Sequence, residues 1–166
     1  MYYFVNFRIM SEKLDKIDAK ILELLQTNSK ITNLELSKKI GLSPAPTLER
    51  VKKLESTGVI ESYHAKVSPQ KVNLTISTFV LVNISWVKPK ALESFIEKIQ
   101  NIDEVTECYV ITGDADVLLK VVCKDIQSYE LLLFKILSQI EEVERLKTLM
   151  NLSNVKYKAS LPIVVE

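Results

Sequence analysis

The chain has 166 residues, 47% of them hydrophobic, which is material for one large domain or two small ones. Its 22 Lys and Arg against 21 Asp and Glu give a formal net charge of +1, so a grip on nucleic acid must come from a local basic patch. Cys108 and Cys123 stand at no metal-ligand spacing beside a single histidine, His64, which argues against a zinc site; no apolar run reaches the length of a membrane span.

Taken in order, residues 1–9 are apolar and aromatic, but they lack the basic start and small-residue cleavage site of a secretory signal. Met10 is the more natural beginning, with the first nine residues an upstream extension. From Leu14, the stripe Leu14, Ile17, Ile21 and Leu24/Leu25 predicts a helix ending at Asn28-Ser29. Thr32 with Glu35 three residues later is a capping box, opening a second helix that stops at Gly41. Ser43 as N-cap and Pro44 at the first helical position open a third, which stops at Thr57-Gly58. Its apolar stripe is Leu48, Val51 and Leu54; Ala45, Pro46, Glu49, Arg50 and Lys53 face the other way. Residues 59–67 partly alternate and read as a strand.

Three short helices with a glycine-marked turn between the second and third make a helix-turn-helix unit over 11–67. Between Lys30 and Lys53 stand Lys30, Lys38, Lys39, Arg50, Lys52 and Lys53 against Glu35 and Glu49, the local excess that the total charge hides. Ser43, Ala45, Pro46 and Thr47 form the first turn of the third helix, the part expected to enter the major groove first. Arg50 is the expected guanine contact, since its fork matches the two acceptors on that base, with a phosphate contact as the equal alternative. Asn33, Lys38, Lys39 and Lys53 are expected on phosphates.

Residues 68–74 are polar with Pro69 and read as a hinge. Beyond it, 75–166 reads as strand 75–86, helix 90–99, strand 105–112, the turn Gly113-Asp114-Ala115-Asp116, strand 117–122, helix 126–140, strand 143–152 and a tail over 155–165 able to pair at an edge. The order β-α-β-β-α-β is the split βαβ arrangement of a ferredoxin-like sandwich, making the chain an α+β protein. The first strand is apolar on both faces, Ile76, Val80, Val82, Ile84 and Trp86 against Phe79 and Leu81, so it needs cover on both sides; helices give one cover and a second subunit the other. Both cysteines are expected as reduced core residues of a cytosolic protein.

In the turn, Gly113 permits backbone geometry that other residues resist, and Asp114 and Asp116 can bond turn amides in a purely structural role. They can also present backbone groups and a carboxylate to a small zwitterion, with Tyr109, Thr112 and Leu118 as walls and Ser138 approaching from another subunit. No nucleophile-base pair, phosphate-cradling glycine loop or paired metal ligands point to an enzyme, and no cofactor is implied.

The residues Leu14-Asp15-Lys16-Ile17-Asp18, Asn33 to Lys39, Gly41 to Pro44, Leu48 to Glu55, Gly58-Val59-Ile60, and Gly113 to Asp116 followed by Leu118-Leu119-Lys120 together resemble the Lrp/AsnC, or feast/famine, family of transcription regulators. The wording over 43–55 is closest to its leucine-responsive branch. That resemblance implies a winged-helix-like DNA-binding domain on double-stranded DNA and a C-terminal domain that binds an amino acid, leucine or another, and drives homo-oligomerisation to dimers and octamers. It implies a cytoplasmic, nucleoid-associated regulator of amino-acid metabolism; an architectural DNA-binding protein without an effector is the alternative. Ala115 departs from the aromatic residue frequent there in the family, and residues 1–9 have no counterpart.

Overall fold

A computed structural model of the chain describes residues 13–165; the expected extension over 1–9 lies outside them. The described chain forms two compact units, one of residues 13–65 with 155–165, the other of residues 66–154.

In the first unit, α1 (Lys16–Thr27), α2 (Asn33–Ile40) and α3 (Pro44–Ser56) close around Ile21, Leu22, Leu36 and Leu54. Helices this short hold their shape through caps and packing more than through propensity. Asp15 and Asp18 form a reciprocal capping box at α1, and Thr32 and Glu35 form another at α2. Gly41 takes the left-handed conformation, φ 74°, that ends α2 and aims the chain into α3. Ser43 occupies the N-cap of α3, but its hydroxyl makes no capping bond. The strand expected over 59–67 does not form: the segment has no ladder partner among the described residues, and Tyr63 donates its hydroxyl to Glu55 Oε1 at 2.8 Å.

The second unit is a four-stranded antiparallel sheet in the order β2-β3-β1-β4, made of β1 (Ile76–Ile84), β2 (Val105–Val110), β3 (Val117–Cys123) and β4 (Val143–Met150). The expected hinge contains a single 3₁₀ turn, Pro69–Val72. One sheet face carries Val80, Val82, Ile84, Val117, Leu119 and Val121, and it is closed by α4 (Ala91–Ile99) through Phe95, Ile96 and Ile99 and by the segment after β3. That segment is not the single helix expected over 126–140. It runs as α5 (Ile126–Leu131), a π turn over Leu132–Ile136 and a 3₁₀ turn over Leu137–Gln139. The wider turn lets Leu132 and Leu137, five residues apart, both reach the core, and it leaves Ile136 exposed.

The opposite sheet face is uncovered within the described chain. Phe79, Leu81, Leu118 and Val122 are half-buried there, and Tyr109 and Leu149 are exposed. Register puts Phe79 beside Leu149, and Leu81 and Tyr109 on either side of Leu118 by strand pairing. Cys123 is buried, as expected, but Cys108 is exposed on the edge strand β2, contrary to its expected place in the core; partial burial still raises the pKa of its thiol. The tail over 155–165 forms no edge strand and belongs to the first unit, where Ile163 packs on the helical core.

Candidate functional site

The helix-turn-helix unit presents α3 as an exposed first turn over a tightly held base. Ser43, Ala45, Pro46, Glu49 and Lys53 are exposed on α3 or its cap, and Lys38 and Lys39 are exposed in the last turn of α2. Behind them, Arg50 Nη1 donates to Asp15 Oδ2 and to Asp18 Oδ1, each at 2.7 Å. Asp18 is 6% exposed, so this bond answers a buried carboxylate and fixes the roll of α3 against the start of α1. The hydrogen bonds from Arg50 to Asp18 and Asp15 raise the pKa of the guanidinium further. Bonds from the Asp18 backbone, then from Arg50, hold the Asp15 carboxyl below its usual range. Thr47 is fully buried, with its hydroxyl donating to the Ser43 carbonyl at 2.9 Å. Asn33 Nδ2 donates to the Pro44 carbonyl at 2.8 Å, stitching α2 to the first turn of α3.

In the second unit, the turn between β2 and β3 is braced by β1. Asp116 Oδ2 accepts from the Ile84 amide at 2.8 Å, the Asp116 amide donates to the Val82 carbonyl, and Asn83 Nδ2 donates to the Asp114 carbonyl at 2.9 Å. Ile111 N donates to the Asp116 carbonyl and closes the loop. Gly113 sits at φ 124°, a conformation side-chained residues rarely adopt, and the space where a Cβ would stand is empty. Thr112, Gly113 and Asp114 are exposed at the tip, and Ala115 is buried beneath it. Tyr109 and Leu118 are register partners on the open sheet face, where the Tyr109 hydroxyl donates to Glu107 Oε2 at 2.6 Å. Ser138 lies on a separate element, its hydroxyl donating to the Phe134 carbonyl.

Two family models match in sequence, a winged helix-turn-helix DNA-binding domain over residues 14–61 and an Lrp/AsnC ligand-binding domain over residues 77–161. The leucine-responsive regulatory protein of Haemophilus influenzae is 41% identical over 146 residues, 88% of each chain; that of Escherichia coli K12 is 37% identical over 150 residues, 90% of this chain and 92% of its own. A transcriptional regulator from Neisseria meningitidis, solved as its L-Met complex, superposes with a TM-score of 0.86 at 37% identity, covering 90% of this chain and 96% of its own. The chain belongs to the Lrp/AsnC family of transcriptional regulators.

With the family shown, the residue expectations divide. This Lrp/AsnC regulator exposes Lys38, Lys39, Ser43, Ala45, Pro46 and Lys53 toward solvent, as a DNA-facing surface requires. Arg50, expected to read guanine, is engaged with two carboxylates of its own chain. Thr47 has no exposed surface, and Asn33 spends its amide inside the motif. Among the turn residues, Asp116 serves a β1 amide and Ala115 packs inward, which leaves the tip of Thr112, Gly113 and Asp114 as the accessible part. Sequence reasoning missed Asp18 as the partner of Arg50 and Asn83 as the brace of the turn. Both acids form the capping box of α1, a local role that the structure adds to their hold on Arg50.

Proposed function

We propose that this regulator grips double-stranded DNA with the exposed first turn of α3, Ser43, Ala45 and Pro46, while Lys38, Lys39 and Lys53 hold phosphates. Arg50, Thr47 and Asn33 set the position of that turn from behind. An amino acid, leucine or methionine first among candidates, docks its charged ends at the tip 112–114 near Tyr109 and Leu118, with Ser138 supplied by another copy, and changes the assembly or its hold on DNA. The observation that carries this reading is the superposition, over nine-tenths of the chain, on a 37%-identical regulator solved with L-Met. The open sheet face of Phe79, Leu81, Leu118 and Leu149 supports the dimer that places two such helices on DNA, with octamers built from dimers. On this reading the protein regulates amino-acid metabolism, works at the nucleoid in the cytoplasm and carries no catalytic step.

The test is binding to the gene's own upstream region at low salt, with and without each amino acid, beside sedimentation of the free protein. The expected result is specific binding that weakens steeply with salt and shifts with one amino acid. Absence of DNA binding at low salt sinks the reading. Binding that ignores every amino acid leaves an architectural protein instead.

A further inference from the structure

Residues 155–165 follow the last strand of the ligand-binding unit, yet they pack as part of the DNA-binding unit. The seat is on α1. Gln26 holds both backbone groups of Leu161: its Nε2 donates to the Leu161 carbonyl at 3.2 Å and its Oε1 accepts from the Leu161 amide at 2.6 Å. A side-chain amide thereby pairs with the segment as a neighbouring strand would. Pro162 follows Leu161, and a residue before proline favours extended geometry, which presents both groups to one partner. Two residues beyond Leu161, Ile163 is half-buried against the cluster of Ile21, Leu22, Leu36 and Leu54, while Leu161 and Val164 on either side stay exposed.

The other end of the segment begins five residues after Met150, the last residue of β4. β4 is hydrogen-bonded along β1, and β1 carries Asn83 and Ile84, the two residues that brace the ligand turn. The chain therefore crosses between the two units twice, once at 65–66 and once at 154–155, and the second crossing is anchored on α1 by Gln26 and Ile163.

We propose that residues 155–165 form a strap through which the ligand-binding unit acts on helix α1 of the DNA-binding unit, with Gln26 and Ile163 as its fastenings. α1 carries Asp15 and Asp18, the acids that hold Arg50 of α3, so tension on α1 bears on the roll of the recognition helix. The strap rests on the reading that an amino acid changes the hold on DNA, and it supplies a physical route for that coupling.

The test compares full-length wild type, Gln26→Ala and Ile163→Ser by hydrogen exchange at Ala159, Ser160, Leu161 and Ile163 and by DNA affinity with and without L-leucine and L-methionine. Gln26→Ala is expected to speed exchange of the Leu161 amide roughly tenfold, as the loss of two exposed hydrogen bonds gives. Its DNA affinity without amino acid is expected within about twofold of wild type, and the ratio of affinities with and without amino acid falls toward one. Ile163→Ser is expected to act in the same direction; because Gln26 is exposed, its variant keeps the test valid should Ile163→Ser loosen the helical core. A Leu161 amide that already exchanges freely in wild type overturns the strap, and so does an unchanged affinity ratio once exchange shows the segment released. A wild-type ratio of one strikes instead at the effector reading on which the strap rests.

Discussion

Among the described residues, each unit buries one carboxylate beside one cation, and the two pairs do different work. In the DNA-binding unit Asp18 meets Arg50, which is 32% exposed at its side chain and shared with Asp15. In the ligand-binding unit Glu142, 4% exposed, meets Lys98 Nζ at 2.6 and 2.8 Å and the Ser94 hydroxyl at 2.8 Å. The first pair joins the cap of one helix to the side of another, so it fixes the orientation of the helix proposed to meet DNA. The second fastens α4 to the start of β4, under the closed face of the sheet, and fixes packing alone. A planar fork holding two acids specifies direction, whereas an ammonium ion on a flexible stem supplies charge with little direction.

Breaking the first pair gives the largest expected effect. Arg50→Ala leaves Asp18 buried without its cation and should cost about 3 kcal/mol of stability, read by denaturant unfolding. DNA binding below the unfolding transition should weaken alike for all sequences, because the whole helix loses its roll. A loss confined to operators with guanine at one position would show instead that Arg50 reaches a base.

Lys98→Met should cost less, about 2 kcal/mol, because Lys98 is 43% exposed and Ser94 still serves Glu142. This pair also has a pH signature. The hydrogen bond from Lys98, with that of Ser94, lowers the Glu142 pKa from 4.5 to about 2. A depressed carboxylate contributes stability that is complete above its unfolded value and is lost as pH falls through its folded one. Stability should therefore decline between about pH 4.5 and pH 2, in the same direction as the lowered Asp15. Lys98→Met should flatten that acid limb while DNA affinity at neutral pH stays within about twofold. An acid limb of unchanged steepness would place its origin in other carboxylates.

Neither pair was legible in the sequence, because the partners lie 32 and 44 residues apart. Arg50 reads as a DNA contact, and nothing near Asp18 or Lys98 in the chain names a distant partner. What was legible rests on local chemistry: the capping box at Thr32, the left-handed stop at Gly41, and the alternation that separates Val80 and Val82 from Phe79 and Leu81. What was not legible depends on what lies across the fold. Residues 59–67 have strand composition but no ladder partner within the described chain. The segment after β3 changes helical period to bury both Leu132 and Leu137. The tail 155–165 looks like an edge strand until Gln26 takes Leu161. In the ligand turn, the two possible roles of Asp116 have identical sequence signatures, and the bond from the Ile84 amide, which supplies the structural one, comes from a strand distant in sequence.

That turn sharpens the contrast at smaller magnitude. Asp116→Ala removes one bond to a backbone amide and should cost about 1 kcal/mol. DNA affinity without amino acid should hold, and the amino-acid response should fall sharply, since the tip 112–114 loses its brace. Calorimetric titration of the amino acid beside a DNA titration separates the two. A full response in Asp116→Ala would mean that the tip keeps its shape through Asn83 and the Val82 carbonyl alone.

The smallest stability effect belongs to an exposed residue at the cap of α3. Ser43 stands at an N-cap, where removing a bonded hydroxyl ordinarily costs about 1 kcal/mol. Its hydroxyl makes no such bond here, whereas Thr32 at the preceding cap accepts from the Glu35 amide at 3.2 Å. Thr32→Ala should therefore cost about 1 kcal/mol and Ser43→Ala under about 0.5 kcal/mol in matched unfolding experiments. If Ser43 is held free for DNA, Ser43→Ala should nonetheless weaken operator binding several-fold, the reverse of the Thr32→Ala pattern. Equal stability losses in the two variants would return Ser43 to an ordinary cap and leave Ala45, Pro46 and the lysines to carry the contact.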